Sequence, residues 1–202
     1  MDLLRNKKRP VGAKGFLDDQ FLIAMPGMKD ENFEGSVVYL CEHTDRGALG
    51  LVINKPIDIK LRNLFEKVEL KLEEPTLAEQ PVFFGGPVQT ERGFVLHERL
   101  DDDGGHYHST LKIPGGALEM TTSKDVLEAL SNGAGPKKIF VTLGYAGWGA
   151  GQIEDEISRN GWLTVDAEPS IIFDTPVEAR YDRALSLLGI DPRMLSQEAG
   201  HA

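Results

Sequence analysis

The stretch SVVYLCEHTDRGALGLVINKP, residues 36–56, decides the fold. Ser36–His43 is rich in β-branched and aromatic residues and reads as a strand. Asp45-Arg46-Gly47 reads as a tight turn, and Ala48–Asn54 is a second apolar run at hairpin distance. Two such runs joined by so short a turn pair antiparallel. A chain that opens on a hairpin departs from strict strand–helix–strand alternation, so a mixed α+β fold is favoured over a doubly wound parallel sheet.

Working outward, Gln20–Met25 is a strand closed by Pro26-Gly27. Leu61, Leu64, Phe65 and Val68 recur at helical spacing. Leu70–Gln80 lacks a pattern and reads as a loop, whereas Pro81–Phe84 and Gly93–His97 read as strands joined in hairpin fashion through Gly85-Gly86-Pro87. A helix is predicted over 124–131, opened by Thr122 and Asp125 and stopped at Asn132-Gly133. Lys138–Leu143 is a strand, Gly144–Gly151 a glycine-rich turn, and 152–159 a helix ended by Asn160-Gly161. Trp162–Val165 and Ser170–Phe173 read as two further strands. Thr175-Pro176-Val177-Glu178 is a capping box for a last helix with Tyr181, Ala184, Leu185 and Leu188 on one face, stopped at Gly189.

Lys and Arg number 22 against 32 Asp and Glu, a net charge of −10 in 202 residues. That balance argues against a protein that coats nucleic acid or an anionic membrane. The basic residues Arg5, Lys7, Lys8, Arg9 and Lys14 gather at the N-terminus, so residues 1–15 read as a solvated, disordered tail and 16–202 as a single domain. Cys41 is the single cysteine, which excludes an internal disulfide framework and a tetrathiolate zinc site. With no secretory signal and no apolar run long enough to span a bilayer, the expected location is the cytoplasm.

Three groups of residues carry possible chemistry. Cys41 and His43 lie two apart on a predicted strand, which places both side chains on one face, where an imidazole could activate a thiol. A lone strand cysteine is more commonly a small buried hydrophobe, and an inert thiol is the expectation. Next, Asp101-Asp102-Asp103-Gly104-Gly105-His106-Tyr107-His108 suggests metal ligands, yet an exposed acidic hairpin tip accounts for the same letters, and no metal is assigned. The segment LGYAGWGAGQ, residues 143–152, enters from a strand and leaves into a helix. Gly144, Gly147, Trp148, Gly149 and Gln152 are therefore candidates for binding an anion or nucleotide at a helix start. The segment matches neither phosphate-binding fingerprint: Ala150 stands where a P-loop needs lysine, and Gln152 where a dinucleotide fold needs glycine. Glu154, Asp155 and Glu156 would also oppose an anion there. A positive φ at Gly147 or Gly149 would make alanine costly at that position.

Taken together, the blocks SVVYLCEHTDRGALGLVINKP (36–56), FFGGPV (83–88), RGFVLH (92–97), TTSKDVLEAL (121–130) and LGYAGWGAGQIEDEI (143–157) resemble the AlgH/YqgE family of small bacterial proteins. The C-terminal IIFDTPVEARYDRALSLLGID (171–191) fits as well. The resemblance implies a single α+β domain with a mixed, largely antiparallel, barrel-like sheet and flanking helices, at a cytosolic address. One lineage of the family takes its name from a regulatory effect on alginate synthesis. The resemblance carries no catalytic residue, cofactor or ligand onto any position.

Two functions are then expected to compete. One is a regulatory or interaction module that acts indirectly on gene expression through a protein partner or small ligand, without direct nucleic-acid or membrane contact. The other is an enzyme or small-ligand sensor built on the 144–151 segment or on Cys41. Geometry discriminates them, according to whether Cys41, His43 and the glycine-rich segment line one polar pocket.

Overall fold

The computed structural model describes residues 15–100 and 106–195. The basic tail, the acidic run 101–105 and the last seven residues lie outside the described residues. Ten strands form in chain order: β1 (Gln20–Ala24), β2 (Val37–Thr44), β3 (Gly47–Val52), β4 (Pro56–Lys60), β5 (Pro81–Phe84), β6 (Val88–Glu98), β7 (Thr110–Lys112), β8 (Leu118–Thr121), β9 (Ile139–Gly149) and β10 (Trp162–Asp166). The helices are α1 (Leu61–Lys67), α2 (Pro75–Ala78), α3 (Asp125–Ser131), α4 (Gln152–Ser158), α5 (Pro169–Phe173) and α6 (Arg180–Leu187).

The strands form one curled sheet in the order β10-β1-β2-β3-β9-β6-β8-β7, with β5 and β4 attached beside β9. Every pairing is antiparallel except β5 with β9, so the sheet is mixed but largely antiparallel, a half-barrel that does not close. The 36–56 hairpin forms as expected, with β2 and β3 in register from Val38↔Val52 to Thr44↔Gly47.

Strand β9 is shared by two halves of the sheet. Its first half lies between β5 and β6, and its second half pairs with β3. Three apolar cores follow from this. The concave core takes Phe21, Tyr39, Leu51, Phe94, Leu96 and Phe140, covered by Ile171 and Ile172 of α5 and Ala184 and Leu185 of α6. On the convex side, one outer core packs Val38, Leu40, Ala146, Trp148 and Trp162 against Ile153 of α4. The other packs Val95, Ile139 and Val141 against α1 and α3. Strand β9 serves all three, and its facing changes along its length. Phe140 points into the concave core and Val141 out of it, but past Gly144 it is Tyr145 that faces in and Trp148 that faces out. Gly144 supplies the reversal, with φ of 76°, and the Thr142 hydroxyl donates to its carbonyl at 3.1 Å.

Several sequence expectations need correction. The segment 144–151 is not a turn: strand pairing continues through Gly149, and Gly144 and Gly151 carry the positive φ values, not Gly147 or Gly149. Nor do Pro81–Phe84 and the strand after it form a hairpin, because β9 inserts between β5 and β6. Gly85 and Gly86 allow that close passage, since a Cβ on either would sit within 2.2 Å of the β9 backbone. Ser170–Phe173 belongs to a helix, started by Pro169, whose fixed φ and missing N–H suit the first helical position. The capping box at Thr175 does not form. The Thr175 hydroxyl turns back to the Ser170 carbonyl at 3.2 Å, a 3-10 turn follows at Val177–Ala179, and α6 starts at Arg180. Strands β4, β7 and β8 and the short helix α2 inside 70–80 were not legible as such.

The two glycine environments predict opposite alanine effects. At Gly144 a Cβ would lie 2.4 Å from the Gly86 carbonyl oxygen in a left-handed conformation, whereas at Gly149 the nearest atom is 3.9 Å away. Gly144→Ala is expected to lower unfolding free energy by about 3 kcal/mol or more. Gly149→Ala should stay within about 0.5 kcal/mol of the parent. Urea unfolding of both variants checks the pair.

Candidate functional site

The sequence placed Cys41 and His43 on one strand face, and the structure separates them. Leu40 pairs with Gly50 and Glu42 with Leu49, so Cys41 is an extra residue in β2, a β-bulge. One inserted residue reverses the facing beyond it. Cys41 therefore points into the concave core, fully buried, whereas His43 opposes Ala48 on the α4 side. Burial pushes the Cys41 thiol well above the ordinary thiol range, reinforced by the charges of Asp19 and Glu42. His43 is buried and fully engaged. Its Nδ1 accepts the Leu17 amide at 2.9 Å, and its Nε2 meets Glu154 Oε1 at 2.8 Å. An amide can only donate, so Nε2 carries the ring proton and donates it to Glu154. The His43 amide donates to Asp18 Oδ1 at 2.7 Å. A ring held at both nitrogens orients the chain at 17–18; it is not in reach of the thiol.

The glycine-rich candidates are also occupied by neighbours. Gly144 is buried in the sheet. The Gly149 amide donates to Gln152 Oε1 at 3.0 Å, which ties the end of β9 to the first residue of α4. Gln152 Nε2 donates to Glu156 Oε1 at 3.0 Å. The indole N–H groups of Trp148 and Trp162 both donate to Glu156 Oε2, at 3.1 and 2.8 Å. Phe33 stacks on Trp148 and meets Trp162 edge-on. Asp155 pairs with Arg159 one turn along, at 3.2 Å. All three acids of α4 are thus engaged, Glu154 by His43, Asp155 by Arg159 and Glu156 by the indoles.

His108 binds Asp125 through its ring and its amide, while His106 is exposed. His97 bridges the Glu98 carbonyl and the Thr121 hydroxyl, both at 2.8 Å. Glu119, opposite His97 in the register, is buried with neither carboxylate oxygen hydrogen-bonded. Among the described residues, no three His, Cys, Asp or Glu side chains converge as metal ligands.

Among the described residues, an open two-lobed groove lies at the end of the concave core away from α5 and α6. Its lobes, of about 520 and 340 Å³, share Leu49 and Tyr145. Between Val88 and Gly93 strand β6 leaves its register with β9, and the excursion brings Gln89 and Arg92 to the groove wall. The bulge at Cys41 brings Glu42 and Thr44 to the opposite wall, beside Arg46. Gly147 and Trp148 line the first lobe, and of these two candidates Gly147 is exposed while Trp148 stays buried. Arg92 donates to the Thr122 hydroxyl at 3.0 Å and lies 5.8 Å over the Phe94 ring. Among the described residues neither Arg46 nor Arg92 forms an ion pair, and Glu42 is the one acid in the lining.

The AlgH-like family model matches residues 21–193. The chain belongs to the AlgH-like family. It is 67% identical over 186 residues to a UPF0301 protein of Ralstonia nicotianae, covering 92% of this chain and 95% of that one. A UPF0301 protein of Cupriavidus pinatubonensis is 68% identical over the same shares. Among solved structures, the AlgH protein of Pseudomonas aeruginosa superposes with a TM-score of 0.75 at 46% identity, covering 96% of this chain and all of that one. A Corynebacterium diphtheriae protein at 19% identity, with a TM-score of 0.66, shares the fold.

Sequence reading missed Arg46, Arg92, Arg180, Glu154 and Glu156 as site-forming residues. A partial signal existed for Arg180, which precedes Ala184 by one helical turn and so falls on the buried face of α6. Glu154 and Arg92 meet His43 and Thr122 from far along the chain, whereas the partners of Glu156 lie within eight residues of it.

Burial of Cys41 predicts its behaviour. In the folded protein the thiol should resist alkylation from pH 6 to 8, and denaturant should restore full labelling. Because folding raises this thiol's pKa above its ordinary 9.0, its neutral form is the one that folding favours. Its contribution is intact below about pH 9 and is lost as pH rises further, because the unfolded thiol ionises first. Measured from pH 7 to 10, unfolding free energy should therefore fall more steeply for the parent than for Cys41→Ala.

Proposed function

We propose that the protein is an interaction module of the cytosol that acts indirectly on gene expression, holding an acidic, extended segment of a protein partner in the two-lobed groove. The observation that carries this reading is the groove itself, an apolar floor of Leu49, Tyr145 and Phe94 flanked by two arginines that form no ion pair among the described residues. In a chain of net charge −10, an unpaired cationic rim on one surface favours a partner of opposite sign and steers its approach. Apolar floor and polar rim together are the anatomy of a protein-binding surface. The reading also draws support from what the candidate catalytic groups do instead: the thiol is sealed in the core, and the imidazole is tied at both nitrogens. Among the described residues no helix is long and apolar enough to cross a membrane.

A photo-crosslinking residue at Thr44, inside the groove, tests the reading in a bacterium that makes the protein. It should give a discrete adduct that Arg46→Glu together with Arg92→Glu abolishes, while the same probe at exposed Lys67 gives none. Identical adducts from both positions, or none from Thr44, would remove the basis for the proposal. The indirect mode of action has its own check. Gel shifts with duplex DNA at about 150 mM salt should show nothing tighter than micromolar, and nanomolar sequence-dependent binding would make the protein a direct regulator.

A further inference from the structure

At the opposite end of the concave core, a cavity of about 170 Å³ lies between β5, the start of β9, α5 and the first turn of α6. Its walls are mostly apolar, with Phe83, Phe140, Ile172, Phe173 and Val177 prominent, and Gln80 and Arg180 are the only polar side chains in the lining. Apolar cavities of roughly 150 Å³ hold a molecule the size of benzene. A solute of that size, not merely a water molecule, fits this one.

Arg180 makes the cavity chemically specific. It is 6% exposed, and its guanidinium lies 5.0 Å from the centre of the Phe83 ring and 5.6 Å from that of Phe140. Its Nε donates to the Thr175 carbonyl at 3.0 Å and its Nη1 to the Ile53 carbonyl. A guanidinium has five N–H donors, and among the described residues Nη2 has no hydrogen-bond partner, nor is it sealed from solvent. No carboxylate pairs with Arg180 among the described residues; Glu178, the acid whose charge it feels, is exposed. Burial lowers the guanidinium pKa to about 10, which still leaves it charged at neutral pH. Two carbonyl dipoles and two aromatic faces offset part of the cost of burying that charge, and none of them is an anion.

We propose that this cavity binds a small monocarboxylate with an apolar body, its two oxygens on the free edge of Arg180 and its hydrocarbon part against Ile172, Phe173 and Val177. A guanidinium edge matches a carboxylate in a bidentate pair. A single cation in a wall otherwise lacking charge suits a monoanion better than phosphate, whose second charge would go uncompensated. This site is separate from the groove and independent of the partner reading.

The test uses the full chain, with methyl-labelled isoleucine and valine followed by NMR during titration. Hexanoate and benzoate serve as probes, hexanol as the neutral counterpart and inorganic phosphate as the bare anion. The expected result is saturable shifts at Ile172 and Val177 below about 1 mM carboxylate, with hexanol at least about tenfold weaker and phosphate without effect. Arg180→Lys, which keeps the charge but loses the fork, should weaken hexanoate about tenfold and leave hexanol unchanged. Should that variant fail to fold, Val177→Phe keeps Arg180, fills the cavity and should abolish the carboxylate shifts. Equal affinity for hexanoate and hexanol would show an apolar void with a structural arginine beside it. That outcome, phosphate competing with hexanoate, or no saturation up to about 10 mM in the folded parent would each overturn the proposal.

Discussion

One strand belongs to both halves of the sheet, and the rest of the molecule is arranged around that fact. Strand β9 must present Phe140 inward among the concave aromatics and then, a few residues on, Trp148 outward beneath α4. A regular strand alternates with a fixed period of two and cannot do both. The left-handed residue Gly144 breaks the alternation once, and its lack of a side chain lets Gly86 pass against it. Once the facing is reversed, the outer surface of the sheet divides into two separate apolar layers, and the helices distribute between them. Strand β6 cannot follow β9 through this irregularity, so residues 89–92 swing out and become a wall of the groove. The open surface is thus a geometric consequence of the shared strand.

A second irregularity sorts the polar chemistry. The bulge at Cys41 sends the thiol inward and the imidazole of His43 outward, so the pair that chemistry would need together is held on opposite faces. Each then serves packing. The thiol fills core volume, and the imidazole ties residues 17–18 to α4 through Glu154. The same economy extends along α4, where Glu156 gathers two indole donors that would otherwise be buried without acceptors. An indole N–H buried without a partner is costly, and a carboxylate is an acceptor able to take several at once.

The concave core ends differently at its two extremities. One is covered by α5 and α6, which leave a small cavity beside a buried arginine. Among the described residues the other has no covering helix and opens into the groove, where two arginines form no ion pair. Both ends place a cationic group over a buried aromatic ring in a chain that is acidic as a whole. Such a distribution favours anionic contacts at either end.

The local reading succeeded where the determinants are local. The 36–56 hairpin, the helices beginning near 61, 125 and 152, and the strand after Asn160-Gly161 all follow from periodicity and turn residues that neighbours in sequence supply. The block wording also identified the family, and with it the α+β half-barrel. Sequence could not separate a glycine that makes a turn from one that lets two strands touch, because that depends on what arrives from elsewhere; so 144–149 reads as a loop and folds as a strand. Ile171 and Ile172 favour β structure alone, yet beside Pro169 and against the concave core they pack as a helical turn. By alternation alone Cys41 and His43 share a face, until a partner strand one residue shorter imposes the bulge. The groove and the Arg180 cavity are assembled from segments far apart in the chain. Sequence fixes which side chains are available, whereas strand register and facing, which are long-range quantities, decide which of them meet.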